Sequence, residues 1–125
     1  MNSIDEVVAR ARFGESGLLP AIIQQHDTRE VLMLGYMDAE ALRRTLTEGR
    51  VTFWSRRRLE YRRKGDTSGN VQYVRGAALD CDGDTLLVQV EQVGPACHTG
   101  ARSCFDVDPL EPVVAPVAEP GEDAS

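Results

Sequence analysis

The apolar residues of this chain come in short runs cut by polar turns, a pattern that confines it to strands with few helices. Leu18–Gln25 and Glu30–Met37 are two such runs, joined by the polar turn His26–Arg29, and read as a hairpin. Val51–Ser55 is a short aromatic strand. Val71–Leu79 and Thr85–Gln92 are two more, separated by an acidic turn and closed by Gly94-Pro95. Helix signals occur twice. Ser3 can cap a short helix reaching Arg12, with Asp5 and Glu6 in its first turn. Asp38 caps Ala39–Glu48, where Ala41, Leu42, Thr45 and Leu46 fall near helical spacing and Gly49 is the stop. Arg56–Asn70 is polar and basic and reads as a loop. The sum is a small single domain, mainly β with one main helix (α+β): a folded, barrel-like sheet, mixed or mostly antiparallel, with the helix packed on it. So small a core gains from pairing, and an intertwined homodimer is expected.

Charge divides the chain in two. The net charge is −6, yet residues 106–125 hold six acids, no base and four of the six prolines, which leaves 14 acids against 14 bases before them. Residues 1–105 are expected to form the domain and residues 106–125 a disordered, acidic, Pro-rich tail. No run approaches the roughly 18 apolar residues of a membrane span. Met1–Arg12 mixes acids and arginines without an apolar core, so a cytoplasmic protein is expected. Three cysteines there argue against a disulfide framework, and an odd number cannot pair completely within one chain.

Chemistry concentrates in two segments. Asp80-Cys81-Asp82-Gly83-Asp84 puts three mutually repelling carboxylates into one turn, an arrangement that a cation relieves. In extended backbone Asp80, Asp82 and Asp84 share one side, a hard-oxygen set suited to Mg²⁺, and Cys81 points to the other. An EF-hand loop fails because Thr85 stands where that loop needs glycine. The second segment runs from Gly94 to Phe105. Cys97 and Cys104 can bend onto one soft metal ion, with Cys81 as a third thiolate and a vacancy for water, as in a catalytic zinc site. His98 is either a fourth ligand or a base beside the metal. If the carboxylates line the site of their own chain, Cys81 faces away from it and is free to complete the zinc site of a neighbouring subunit.

A basic stretch separates these from the strands. Arg56, Arg57, Arg58, Arg62, Arg63 and Lys64 alternate with Trp54 and Tyr61, as in an RNA-binding surface. The same stretch also suits phosphate, held by Lys64, Ser68 and nearby backbone amides. Lys64 is the sole lysine among 14 bases.

Four motifs together resemble the phosphoribosyl-AMP cyclohydrolase family: Trp54-Ser-Arg, Lys64-Gly-Asp-Thr-Ser-Gly69, Leu79-Asp-Cys-Asp-Gly-Asp84, and Gly94-Pro-Ala-Cys-His-Thr-Gly100 with Ser103-Cys-Phe105. Gly17-Leu-Leu-Pro-Ala and Val31–Met37 fit as well, so the resemblance covers roughly residues 13–105. Tyr61 and Asp66 depart from it, standing where the family commonly has Trp and Glu. The resemblance implies a homodimeric hydrolase that opens the N1–C6 bond of the adenine ring of 1-(5-phosphoribosyl)-AMP to give the formimino-carboxamide ribotide, the third step of L-histidine biosynthesis. It implies one Zn²⁺ per subunit on Cys97, Cys104 and Cys81 of the partner subunit, and one Mg²⁺ per subunit on Asp80, Asp82 and Asp84. It further implies substrate contacts from Trp54, Ser55, Arg56, Lys64, Thr67, Ser68 and Gly69. His98 is the candidate proton shuttle on its own chemistry, since an imidazole titrates near neutral pH. Neither nucleic acid nor membrane is an expected partner. The alternatives are a zinc-stabilised RNA-binding module on Arg56–Lys64 and an Asp-nucleophile phosphatase using the acidic turn.

Overall fold

In the computed structural model, described over residues 3–115, the elements run α1 (Ile4–Arg10), β1 (Leu19–Gln25), β2 (Val31–Met37), α2 (Ala39–Glu48), β3 (Thr52–Ser55), β4 (Glu60–Arg63), β5 (Gln72–Leu79) and β6 (Leu86–Gln92). A 3₁₀ turn, Cys104–Asp106, follows. Both expected helix caps form: Ser3 Oγ accepts from Glu6 N–H, and Asp38 Oδ1 accepts from Ala41 N–H at 2.8 Å.

The main sheet has the order β2-β1-β6-β5. β1 pairs antiparallel with β2, β6 antiparallel with β5, and β1 with β6 in parallel. Alternation along β1 and β6 sends Leu19, Ala21, Ile23, Leu86, Val88 and Val90 to one face, where all are buried. Ala41, Leu42 and Thr45 of α2, with Val51 and Phe53, close over that face. Each fully buried Leu, Ile or Val contributes about 1.5–3 kcal/mol relative to exposure. The opposite face carries Ile22, Leu34, Ala78 and Leu87, part-buried or exposed, with no helix or hairpin across it among the described residues.

Two expectations are corrected. The sheet does not close into a barrel. β3 pairs only with β4, as a separate two-stranded unit, and meets β2 through side chains. Gly35 of β2 explains the approach: a Cβ there would lie 2.5 Å from the Phe53 ring. The ring takes the space over Gly35, and the two strands pack side by side without a shared ladder. Second, Arg56–Asn70 is not wholly loop, because Glu60–Arg63 forms β4 in register with β3, Trp54 opposite Tyr61. Six strands are therefore present among the described residues where five were expected.

Beyond Asp106, residues 107–115 hold no helix or strand and are exposed, Leu110 at 84% and Val114 at 81%; residues 116–125 of the expected tail lie outside the described residues. Deleting Leu110–Ser125 is expected to change the unfolding free energy by no more than about 0.5 kcal/mol, as for exposed positions generally. Turnover should hold too. Calorimetry and a kinetic assay check both, and a large loss in either would mean that the tail docks.

Candidate active site

The antiparallel unit β3–β4 stands off from β2 and leaves a cleft of about 960 Å³ between them. Met33, Gly35 and Tyr36 form one wall; Trp54, Ser55, Arg56 and Tyr61 form the other; Lys64, Thr67, Ser68 and His98 lie at its margin. Of the seven substrate contacts expected from the sequence, Trp54, Ser55, Arg56, Lys64, Thr67 and Ser68 therefore reach one cavity, and Gly69 does not line it.

The aromatic wall is braced. Trp54 and Tyr61 meet edge to face with centroids 4.9 Å apart. The Tyr61 hydroxyl donates to Asp38 Oδ2 at 2.7 Å, and the guanidinium of Arg44 lies 4.3 Å over its ring. The bond to Asp38 pushes the Tyr61 hydroxyl up to about 12, because ionising it would face a carboxylate. Asp38 thus caps α2 with one oxygen and holds the hairpin with the other, a double duty that its helix-cap signal alone does not announce.

The basic stretch is only partly free. Arg63 pairs with Asp66 at 2.8 Å and approaches Glu48, Arg62 and Arg58 pair with Glu60, and Arg50 reaches Asp66 at 3.1 Å. Arg56 instead stacks over Tyr36 at 3.9 Å, which holds its guanidinium at the cleft wall. Tyr36 and Phe53 line the cleft without having been singled out in the sequence, and their only local sign is the aromatic content of the strands that carry them; Arg57 of the basic stretch lines it as well.

Lys64 ties the cleft to the cysteine loop. Its Nζ donates to the Ala96 carbonyl at 2.7 Å, one residue before Cys97. Cys97 and Cys104 are near enough to influence each other's ionisation, and their thiols shift in opposite directions. The Thr99 hydroxyl, donating at 3.1 Å, and the Thr99 amide lower Cys97; burial and the neighbouring Cys97 sulfur raise Cys104. Lys64 favours the thiolate at both. Two neighbouring thiols beside a fixed ammonium that favours their thiolates are a soft-metal donor set. Ser103, buried, donates to the Val31 carbonyl at 2.7 Å and fastens the far end of the loop to β2. Cys81 does not join the pair within one chain: it is exposed, on the turn between β5 and β6.

That turn brings Asp80, Asp82 and Asp84 together, with one oxygen of each within 4.8 Å of the others. The convergence was expected, but the reason differs. The backbone is a tight turn, not extended: Gly83 has φ +78°, its N–H donates to the Asp80 carbonyl, and Asp80 N–H donates to the Thr85 carbonyl. The alternation that placed Cys81 opposite the carboxylates therefore does not apply. Asp84 is raised, first by sharing a proton with Asp82 and then by burial and Asp80. Asp80 feels a partial desolvation that raises it, outweighed by bonds from Asp82 and from the Thr85 and Asp84 amides, so that it falls. None of the three has a cationic side-chain partner among the described residues. Uncompensated oxygens at this spacing fit a hard divalent cation.

Lys64 joins the cleft to the thiol pair, and the carboxylate turn lies between β5 and β6, outside the cleft lining. The class to which this small α+β chain belongs is that of the hydrolases. The family model for phosphoribosyl-AMP cyclohydrolase matches residues 33–106. The chain is 73% identical to the phosphoribosyl-AMP cyclohydrolase of Clavibacter michiganensis subsp. michiganensis, over 94% of this chain and 91% of that protein. It is 66% identical to the one from Leifsonia xyli subsp. xyli, over 98% of each. With the one from Streptomyces avermitilis it shares 66% over 87% of this chain and 83% of that protein. The chain belongs to the phosphoribosyl-AMP cyclohydrolase family. No helix among the described residues is long and apolar enough to cross a membrane.

Proposed function

We propose that this enzyme adds water to C6 of the adenine ring of 1-(5-phosphoribosyl)-AMP and breaks the N1–C6 bond, giving the formimino-carboxamide ribotide of histidine biosynthesis. One observation carries the reading. Lys64 and His98 line the same cleft as Trp54 and Arg56, and Lys64 also holds the loop of Cys97 and Cys104, so substrate and thiol pair meet at one place.

The substrate is a purine between two phosphates. Trp54 offers its ring as a flat face for the base, and Arg56 and Arg57, with the Thr67 and Ser68 hydroxyls, offer donors to phosphate oxygens. Substitution at N1 leaves C6 electron-poor. His98, exposed at the cleft margin, takes the proton of the attacking water and returns one to nitrogen as the N1–C6 bond opens. Cys97 and Cys104, with Cys81 of a partner subunit, are assigned to zinc, and Asp80, Asp82 and Asp84 to magnesium, one of each ion per subunit. When bound, zinc supplies Lewis acidity and hydroxide near neutral pH, and magnesium supplies charge against phosphate.

The homodimer is part of the proposal. The uncovered sheet face with Ile22, Leu34, Ala78 and Leu87 supports it, and so does the separation of Cys81 from the other two thiols. A cytoplasmic setting suits three free thiols. The RNA-binding alternative loses ground because Arg58, Arg62 and Arg63 are already paired with acids. An Asp-nucleophile phosphatase needs further α/β units after the acidic turn, where only β6 and a 3₁₀ turn follow among the described residues.

Metal analysis of the purified protein, with ultraviolet monitoring of phosphoribosyl-AMP turnover, tests the reading; no turnover by the zinc- and magnesium-loaded dimer would overturn it. A narrower test concerns the turn. Asp82→Asn is expected to raise the magnesium concentration for half-maximal turnover by about 10-fold or more while zinc content stays at the wild-type level. An unchanged magnesium requirement would leave the three carboxylates as a solvated turn.

A further inference from the structure

The acidic turn is not self-supporting. The peptide group between Gly83 and Asp84 is held at both ends: its N–H, on Asp84, donates to Asp80 Oδ1 at 3.0 Å, and its carbonyl, on Gly83, accepts from Arg12 N–H at 2.7 Å. The first bond lies within the turn. The second comes from the opposite end of the chain, out of the segment that leaves α1, and residues 33–106 of the family match do not include it. Rotating this peptide plane would swing the Asp84 carboxylate away and remove one of the two amides, those of Asp84 and Thr85, that hold Asp80 Oδ1. We infer that Arg12 is a positioning residue for the aspartate turn, acting through its backbone amide, so that divalent-cation binding depends on the N-terminal segment.

Three further observations bear on it. The segment is anchored on both sides of Arg12, since Val8, Ala11 and Phe13 pack against the core. Asp5 of α1 pairs with Arg43 of α2 at 2.9 Å, which seats the helix from which the segment emerges. The fit at Gly83 is close: the residue is buried, and a Cβ there would come within 2.9 Å of the Arg10 carbonyl and 3.6 Å of the Arg12 side chain. Arg12 forms no ion pair with Asp80, Asp82 or Asp84 among the described residues, so its amide and not its charge is the group that touches the turn. Proline at this position removes the one donor that matters, and alanine keeps it.

The inference rests on the assignment of Asp80, Asp82 and Asp84 to a divalent cation, and the experiment separates the two. Mn²⁺ serves as the probe, titrated into the zinc-loaded full-length protein and followed by electron paramagnetic resonance, with zinc content and melting temperature measured alongside. Arg12→Pro is expected to weaken Mn²⁺ binding by about 10-fold or more, the scale on which partners behind metal ligands act, and to leave zinc content unchanged. Arg12→Ala should keep Mn²⁺ affinity within about two-fold of wild type, since the amide stays. If Arg12→Pro does not fold, an ester in place of the Ala11–Arg12 amide in the full-length chain removes the N–H alone and carries the same expectation. Wild-type Mn²⁺ affinity in the folded variant would overturn the role of Arg12 alone. A full-length protein that binds no Mn²⁺ would overturn the aspartate assignment, and the positioning role with it.

Discussion

Cys97→Ala is expected to remove tight zinc binding and turnover together. Cys97 is the member of the thiol pair already tuned toward thiolate: the Thr99 hydroxyl and amide both stabilise its charged form, and the Lys64 ammonium adds to them. Cys104 is pushed the other way by burial and by its neighbour, so after loss of Cys97 one thiol with a raised proton affinity competes for the cation. Losing a ligand should exceed the 10- to 100-fold loss in metal affinity that follows removal of a group merely behind one. Turnover should drop to background. Thr99→Val, which takes away the bond to Cys97 Sγ and keeps the ligand, gives the contrasting case: weaker zinc binding with turnover recovered at saturating metal. Zinc content by elemental analysis and a chelator competition read the first quantity, and the ultraviolet assay reads the second. Full activity in zinc-free Cys97→Ala protein would sink the assignment.

How far the sequence reaches is clearest element by element. β1, β2, β5, β6 and α2 were legible, because alternating or helically spaced apolar residues mark a buried face and Asp38 and Gly49 mark the helix ends. β4 was not. Glu-Tyr-Arg-Arg carries one residue with strand preference, and its conformation comes from pairing with β3 and from Tyr61 wedged between Trp54 and Asp38. The parallel alignment of β1 with β6 also left no local trace, since it joins segments some sixty residues apart, such as Ala21 with Leu86. Side chains of one motif tend to be found by composition; how the backbone presents them is not. Three acids in five residues pointed to a converging set, yet the convergence comes from a glycine turn and an amide supplied by Arg12. Trp54, Arg56, Lys64 and His98 were marked by residue type, whereas Tyr36 reaches the cleft because β2 and β3 pack without a shared ladder.

Mixing two inactive variants is expected to restore activity. Cys81 is exposed on the β5–β6 turn and stands outside the group formed by Cys97 and Cys104, so one chain does not assemble three thiols. The turn that carries Cys81 is tight, so alternation of side chains does not direct its thiol toward a second chain. The separation of the thiols and the sheet face left uncovered among the described residues support a site shared between two chains. If a two-fold dimer brings Cys81 of one subunit to Cys97 and Cys104 of the other, each dimer holds two equivalent sites, each built from both chains. Cys81→Ala and Cys97→Ala homodimers then lack a ligand in both sites and are inactive. In the heterodimer the two lesions fall into the same site, and the other site keeps all three thiols. Random exchange of equal amounts makes about half the dimers heterodimers, each with one working site of two, so turnover should approach about a quarter of wild type. Zinc bound per dimer should rise in the same proportion, a readout independent of catalysis. Exchange is verified separately with chains of different mass tags. If it is complete and neither turnover nor zinc returns at any mixing ratio, the shared site is wrong, and the ligand beside Cys97 and Cys104 has to be found within their own chain.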